Sequence, residues 1–295
     1  MSQATGLARI GFVGLGIMGQ SMAGHLLAAG HPLRVHTRSA DKARALVAGG
    51  AVWCATPGEL AAGCDVVITM VGTPRDVEEV WLGADGALAQ AGRGTLLIDM
   101  TTSSPELARR LAREAAARGC RALDAPVSGG DLGAREARLS IMAGGDADAF
   151  AQALPILQRM GKTIVHTGGP GTGQHTKMCN QLVIASTIMG VCEGLAYARS
   201  AGLDPELVLQ CISGGAAGSF QLTVMGPKIV KGDFAPGFMI EHFLKDLSIA
   251  LAEADRMQLQ LPGAEQARRL YAQLVEQGRA REGTQALSRL YGAAA

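Results

Sequence analysis

The segment Ala8-Arg-Ile-Gly-Phe-Val-Gly14-Leu15-Gly16-Ile17-Met18-Gly19 leaves this chain little choice of fold. An apolar run of strand character meets three glycines spaced G-x-G-x-x-G. A helix-compatible stretch follows to about Gly30, and then a second apolar run, Leu33 to His36. Strand, glycine turn and helix in that order are the setting in which the glycine spacing carries a mechanism. Gly14 permits the tight turn, Gly16 lets the backbone approach a pyrophosphate, and Gly19 lets the helix pack closely on the strand while its first amides face the anion. Residues Gly14, Leu15, Gly16, Ile17, Met18 and Gly19 are therefore read as a dinucleotide-phosphate loop.

The second strand ends in Thr37-Arg38-Ser39. A site preferring NAD usually places an acid there, for the ribose 2′-hydroxyl; a 2′-phosphate calls for an arginine and hydroxyl donors. Thr37, Arg38 and Ser39 supply the second chemistry, so NADP is the expected cofactor, with NAD also possible. Asp41 falls beyond the strand, in the first turn of the next helix.

Strands are expected at 65–70, 95–99, 121–124, 139–143 and 163–166, alternating with helices as a parallel sheet requires. The clearest helix lies between Ser104-Pro105 and Gly119, with a hydroxyl N-cap, proline at its first position and glycine past its end. Strand ends carry the residues suited to ligands: Met70 and Val71, Thr101 and Thr102, and Asp124-Ala-Pro-Val-Ser128-Gly129-Gly130. After Gly168-Gly-Pro-Gly171 the strand-like runs stop and helices follow. The expected architecture is α/β: a Rossmann-type, doubly wound, mostly parallel sheet over residues 1–168, then an all-helical domain over 169–295 for substrate binding and oligomerisation.

Composition excludes several alternatives. With 27 basic and 26 acidic residues the net charge is +1, so no field favours nucleic acid or an anionic membrane. The six cysteines show no Cys-x-x-Cys pair and no metal-like spacing with the histidines, which argues for a reduced, cytoplasmic chain without metal. No charged leader precedes the first strand and no uninterrupted apolar segment reaches bilayer length, so neither targeting nor membrane insertion is expected. A small molecule is the expected partner.

One charge stands out. Gly171-Thr-Gly-Gln-His-Thr-Lys177-Met-Cys-Asn180-Gln181 opens a long apolar helix in which Glu193 is the one charge between Met178 and Ala198. Lys177, Asn180 and Gln181 project from one face of it. Such a helix is too apolar to be solvated, which predicts a homodimer or homotetramer. Lys177 is placed in the helix's first turn, where its removal would leave folding intact. His175 is a rival acid or base, but two residues away it points to roughly the opposite side.

Four motifs in order, Gly11-Phe-Val-Gly-Leu-Gly-Ile-Met-Gly19, Asp124-Ala-Pro-Val-Ser-Gly-Gly130, Gly171-Thr-Gly173 leading to Lys177-Met-Cys-Asn180, and Lys245-Asp-Leu247, resemble those of the β-hydroxyacid dehydrogenase family. The resemblance runs from Ile10 to about Leu290. It implies that the first motif, Met70, Val71, Thr102 and Lys245 serve the cofactor, Ser128, Gly129, Gly130 and Asn180 the substrate, and Lys177 the proton. The family's usual Ser-Thr pair is Thr101-Thr102 here. The activity implied is NAD(P)-dependent interconversion of a short 3-hydroxy acid and its semialdehyde, of the tartronate semialdehyde reductase or 3-hydroxyisobutyrate dehydrogenase type. A glyoxylate or succinic semialdehyde reductase is the nearest alternative. An imine reductase usually lacks the lysine, and a non-catalytic NADP-binding module typically loses it too.

Overall fold

A computed structural model describes residues 6–292. The chain forms two compact units, Met1–Lys177 and Met178–Ala295.

The first unit is built on a nine-stranded sheet with strand order β3-β2-β1-β4-β5-β6-β8-β7, β9 pairing β8. The strands are β1 Ile10–Val13, β2 Leu33–His36, β3 Val52–Trp53, β4 Val66–Thr69, β5 Leu96–Asp99, β6 Arg121–Asp124, β7 Val127–Ser128, β8 Leu139–Gly145 and β9 Gly161–Gly168. From β3 to β6 every pairing is parallel. Strand β8 then runs antiparallel to both β6 and β7, and β9 is parallel to β8. The central strands are apolar on both faces because helices cover both. Alternation sorts their side chains: Phe12, Ile68 and Ile98 enter the core cluster on one face, Val13, Val67 and Leu97 the cluster on the other. At Gly11 a Cβ would collide with Leu60, so that face is filled from a helix instead.

The helix Pro105–Ala117 starts as its sequence predicts: Ser104 Oγ accepts from the Leu107 amide at 3.1 Å, and Gly119 turns out of it at φ +70°. A cap of this type contributes about 1 kcal/mol. The strands β3 and β7 were not expected, since two residues are too few to show a period, and β7 claims Val127 and Ser128 from what reads as a loop.

The second unit contains no named strand among the described residues, only an isolated bridge between Met239 and Gly283. Its helices are the remainder of Thr172–Ser200, Pro205–Ile212, Gly226–Val230 behind a π turn at Gln221–Met225, Ile240–Arg256 and Pro262–Glu276, with a 3-10 segment at Thr284–Tyr291. Ile188, Leu195, Phe243, Leu247 and Leu274 form its core around Tyr271. Phe243 meets Tyr271 edge to face at 5.0 Å, and the phenol, being buried, donates to the Thr284 carbonyl at 2.8 Å. The helix Thr172–Ser200 corrects one expectation. Its 29 residues include a window of mean hydropathy 1.3, long and apolar enough by length and composition to cross a membrane. Ala185, Ile188, Cys192 and Leu195 of this helix are buried in the unit's own core, and Ala198 is buried as well.

Candidate active site

The phosphate loop lies where strand order reverses, between β1 and β4, the place where open α/β sheets hold ligands. The Met70 amide donates to the Val13 carbonyl at 2.8 Å, bringing Met70 and Val71 beside the glycine turn. Gly14 sits at φ +98°, and a Cβ there would strike the Met70 carbonyl. A Cβ on Gly19 would strike the Gly14 carbonyl, which is the close helix–strand approach the spacing implies. At Gly16 a Cβ would meet nothing within 4 Å. That open space over a backbone at a helix start fits a pyrophosphate. The Leu15 side chain points into the core, so Leu15 offers a ligand only its backbone; Ile17 is exposed and Met18 half-buried. Thr37 is half-buried, while Arg38 and Ser39 are exposed beyond β2. Arg38 stands 3.6 Å from Asp76, a solvent-facing pair worth little on its own, so its guanidinium can turn to a phosphate at small cost. Asp41 is in the next helical turn, bound to Arg44 rather than placed for a ribose.

Around Lys177 the sequence reading needs correction. The lysine occupies the second turn of Thr172–Ser200, not the first, and is only 6% exposed. Its Nζ donates to the Val127 carbonyl at 2.8 Å. Val127 precedes Ser128, Gly129 and Gly130, so the first unit alone brings Lys177 to the segment read as substrate-binding. Gly129 and Gly130 adopt φ +127° and +62°, turning the chain out of β7 into a short helix at Gly130–Arg135. Only glycine adopts the first of these without strain.

What holds Lys177 there was missed by the sequence reading. Both carboxylate oxygens of Asp124, at the end of β6, accept backbone amides at the helix start: Oδ1 from Gly171 and Oδ2 from Gln174, each at 2.8 Å. Burial pushes the Asp124 carboxyl above its ordinary value, against the pull of those amides. A Cβ on Gly173 would crowd the Met142 and Asp124 carbonyls, so the helix approaches the sheet through glycine. Gln174 is fully buried and uses both ends of its amide: Oε1 accepts from the Ser103 amide at 2.9 Å and Nε2 donates to the Thr101 carbonyl at 2.8 Å. Thr102, half-buried, sits between those two anchors. Thr101 Oγ1 in turn accepts from the Val71 amide at 3.0 Å. The cofactor-side loops and the lysine-bearing helix are thus tied by hydrogen bonds within one unit. His175 takes no part; its Nε2 is 3.5 Å from Arg109.

The second unit carries its own buried polar group on an apolar background. Asn180 Nδ2 donates to Gln181 Oε1 at 2.7 Å, and Gln181 Nε2 donates to Asp246 Oδ2 at 2.6 Å. Lys245 Nζ lies 3.0 Å from Asp246 Oδ1, an ion pair with a buried acid. Lys245 is predicted to serve the cofactor; in this unit it faces its neighbouring acid.

The chain is similar over nearly its whole length to known oxidoreductases. Residues 9–168 match a family described as the NAD binding domain of 6-phosphogluconate dehydrogenase, and residues 171–291 one described as NAD-binding of NADP-dependent 3-hydroxyisobutyrate dehydrogenase. An uncharacterized oxidoreductase of Bacillus subtilis (strain 168), YkwC, is 49% identical over 282 residues, covering 96% of this chain and 98% of the relative. The 2-hydroxy-3-oxopropionate reductase of Escherichia coli (strain K12) is 41% identical over 263 residues, covering 89% and 90%. A solved structure of Mycobacterium tuberculosis 3-hydroxyisobutyrate dehydrogenase with L-serine matches with TM-score 0.88 at 32% identity, covering 97% of this chain and 99% of that one.

Proposed function

The chain belongs to the β-hydroxyacid dehydrogenase family of NAD(P)-binding oxidoreductases, and on that premise we propose that it reduces a short 3-oxo acid, a semialdehyde, to the 3-hydroxy acid, with Lys177 giving the proton. The observation that carries this is the Lys177 Nζ, buried and aimed at the carbonyl one residue before Ser128. A nicotinamide cofactor, when bound, supplies the hydride. The chain's own residues supply the rest. Ser128 offers a hydroxyl, and Gly129 and Gly130 offer amides unobstructed by side chains, a set suited to a carboxylate. Lys177 holds a proton at Nζ for the substrate oxygen as negative charge develops on it, and takes it back in the reverse direction. Val127 then serves as the resting partner that keeps the ammonium aimed. Burial of the lysine excludes water from competing for that proton.

Residues 1–168 bind the dinucleotide, with Arg38 and Ser39 favouring NADP, and residues 169–295 carry the substrate-binding Asn180 and associate into a homo-oligomer. Supporting the last is a line of exposed residues on Thr172–Ser200: Cys179, Val183, Ser186, Gly190, Gly194 and Tyr197 recur at helical spacing, with Val183 64% and Tyr197 75% exposed. The cytoplasm is the proposed compartment, in keeping with six free cysteines. Turnover of 2-hydroxy-3-oxopropionate, methylmalonate semialdehyde, succinic semialdehyde and glyoxylate with NADH and with NADPH tests the reading. It predicts activity on one of the first two at least tenfold above the others, and inactivity on the whole panel would refute it.

A further inference from the structure

Asp246 is 1% exposed, and a carboxylate can only accept hydrogen bonds. That single fact orders a chain of side chains within the second unit. Gln181, fully buried, must turn its Nε2 toward Asp246 Oδ2, 2.6 Å away. Its Oε1 is thereby left facing Asn180, and Asn180 must answer with an N–H, as it does at 2.7 Å. Neither amide can be reversed without setting oxygen against oxygen. The acid is itself held by Lys245, 3.0 Å from its other oxygen. Asn180 is only half-buried, so the end of the chain reaches an accessible surface while its root does not. The carboxamide there keeps its Oδ1, with one remaining amide hydrogen, for an outside partner.

We propose that Asp246 and Gln181 are positioning residues that fix the Asn180 carboxamide with its Oδ1 turned to the substrate, and so select substrates that set a hydrogen-bond donor, an α-hydroxyl, against it. This rests on the reading of Asn180 as a substrate-facing residue. An amide free to rotate would greet a hydroxyl, a carboxylate or a carbonyl about equally. A fixed acceptor discriminates against a group that cannot donate, because the oxygen is then desolvated without a partner. The pair 2-hydroxy-3-oxopropionate and methylmalonate semialdehyde presents this choice: the two differ by hydroxyl against methyl on the same carbon.

The test measures kcat and KM for both substrates in the wild type and in Gln181→Met, Asp246→Asn and Asn180→Ala, with the Gln181→Met/Asn180→Ala double variant. The wild type prefers the hydroxyl substrate, and Gln181→Met, which removes both hydrogen bonds at nearly constant volume, lowers that preference about tenfold, mainly through KM. Asn180→Ala lowers it equally, and adding Gln181→Met to it changes the ratio no further. A preference that survives Gln181→Met while Asn180→Ala abolishes it would overturn the proposal, as would a wild type that favours the methyl substrate. Asp246→Asn follows Gln181→Met if it folds; where it does not, Gln181→Met decides. A substrate-free arm separates this proposal from the reading beneath it. The Asn180 side-chain amide, assigned in the NMR spectrum by its loss in Asn180→Ala, exchanges at least tenfold faster with solvent in Gln181→Met than in the wild type. Equal exchange would overturn the relay, whereas absence of turnover with every semialdehyde, with the relay intact by NMR, would overturn the proposed reaction and the selectivity but not the positioning.

Discussion

The ammonium of Lys177 lies 2.8 Å from the carbonyl oxygen of Val127, and both are buried. This joins the second turn of the long helix to the strand that leads into Ser128-Gly129-Gly130, and it gives the lysine a role in the fold as well as in the chemistry. Replacing Lys177 with methionine keeps the aliphatic stem but strands the carbonyl. Stability should fall by about 1 to 3 kcal/mol, read as a lower urea midpoint, rather than stay unchanged as for a first-turn surface lysine.

Asp124 should matter more than its distance in sequence from the lysine suggests. In Asp124→Asn one oxygen becomes an NH2 facing a backbone amide donor, which should cost about 2 to 4 kcal/mol and loosen the start of the helix. The pH dependence has a definite sign. The folded carboxyl binds its proton more tightly than the unfolded chain does, so its favourable contribution is complete below the ordinary carboxylate value and is lost as pH rises through the raised one. The wild type should show that decline in denaturant midpoint and the asparagine variant should lack it. Asp65, held down mainly by its hydrogen bond from Arg9, contributes the opposite slope.

These two residues also mark how far the sequence could be read. The glycine loop, the Ser104-Pro105 helix start and the change from strands to helices after Gly168 were legible because each rests on local rules: a turn, a cap, a period. Lys177 was legible as an isolated charge on an apolar helix. Gln174 was not, because a glutamine near a helix start is unremarkable until Thr101 and Ser103, about seventy positions earlier, are seen to fill both ends of its amide. Burial of Lys177 and the antiparallel turn of β8 depend on tertiary pairing of the same kind. Strand β7 is two residues long, too short to announce itself.

Cofactor choice should follow Arg38. Arg38→Ala should weaken NADPH by roughly 1.5 to 3 kcal/mol, the loss of a charge-assisted contact, and leave NADH nearly unchanged. Fluorescence titration of both cofactors decides it; equal weakening would mean that Arg38 supports the loop rather than reading the phosphate.

Association should depend on the exposed line of the long helix. Tyr197→Glu together with Val183→Asp places charge on side chains now 75% and 64% exposed, so a monomer should tolerate both with little change in thermal stability. If this face joins copies, sedimentation velocity at micromolar concentration should show the wild type as dimer or tetramer and the variant as monomer. A wild type that sediments as a monomer would contradict the proposal.

The central claim is that Lys177 delivers the proton, and single-turnover oxidation of bound NADPH by a semialdehyde tests it most directly. With cofactor binding confirmed, Lys177→Ala should slow the chemical step by roughly two to four orders of magnitude. Lys177→Arg should be nearly as slow, because a guanidinium keeps the charge but yields its proton far less readily. Arginine restoring the wild-type rate would show that only charge is needed at this position, and a near-normal rate in the alanine variant would show that the proton comes from elsewhere.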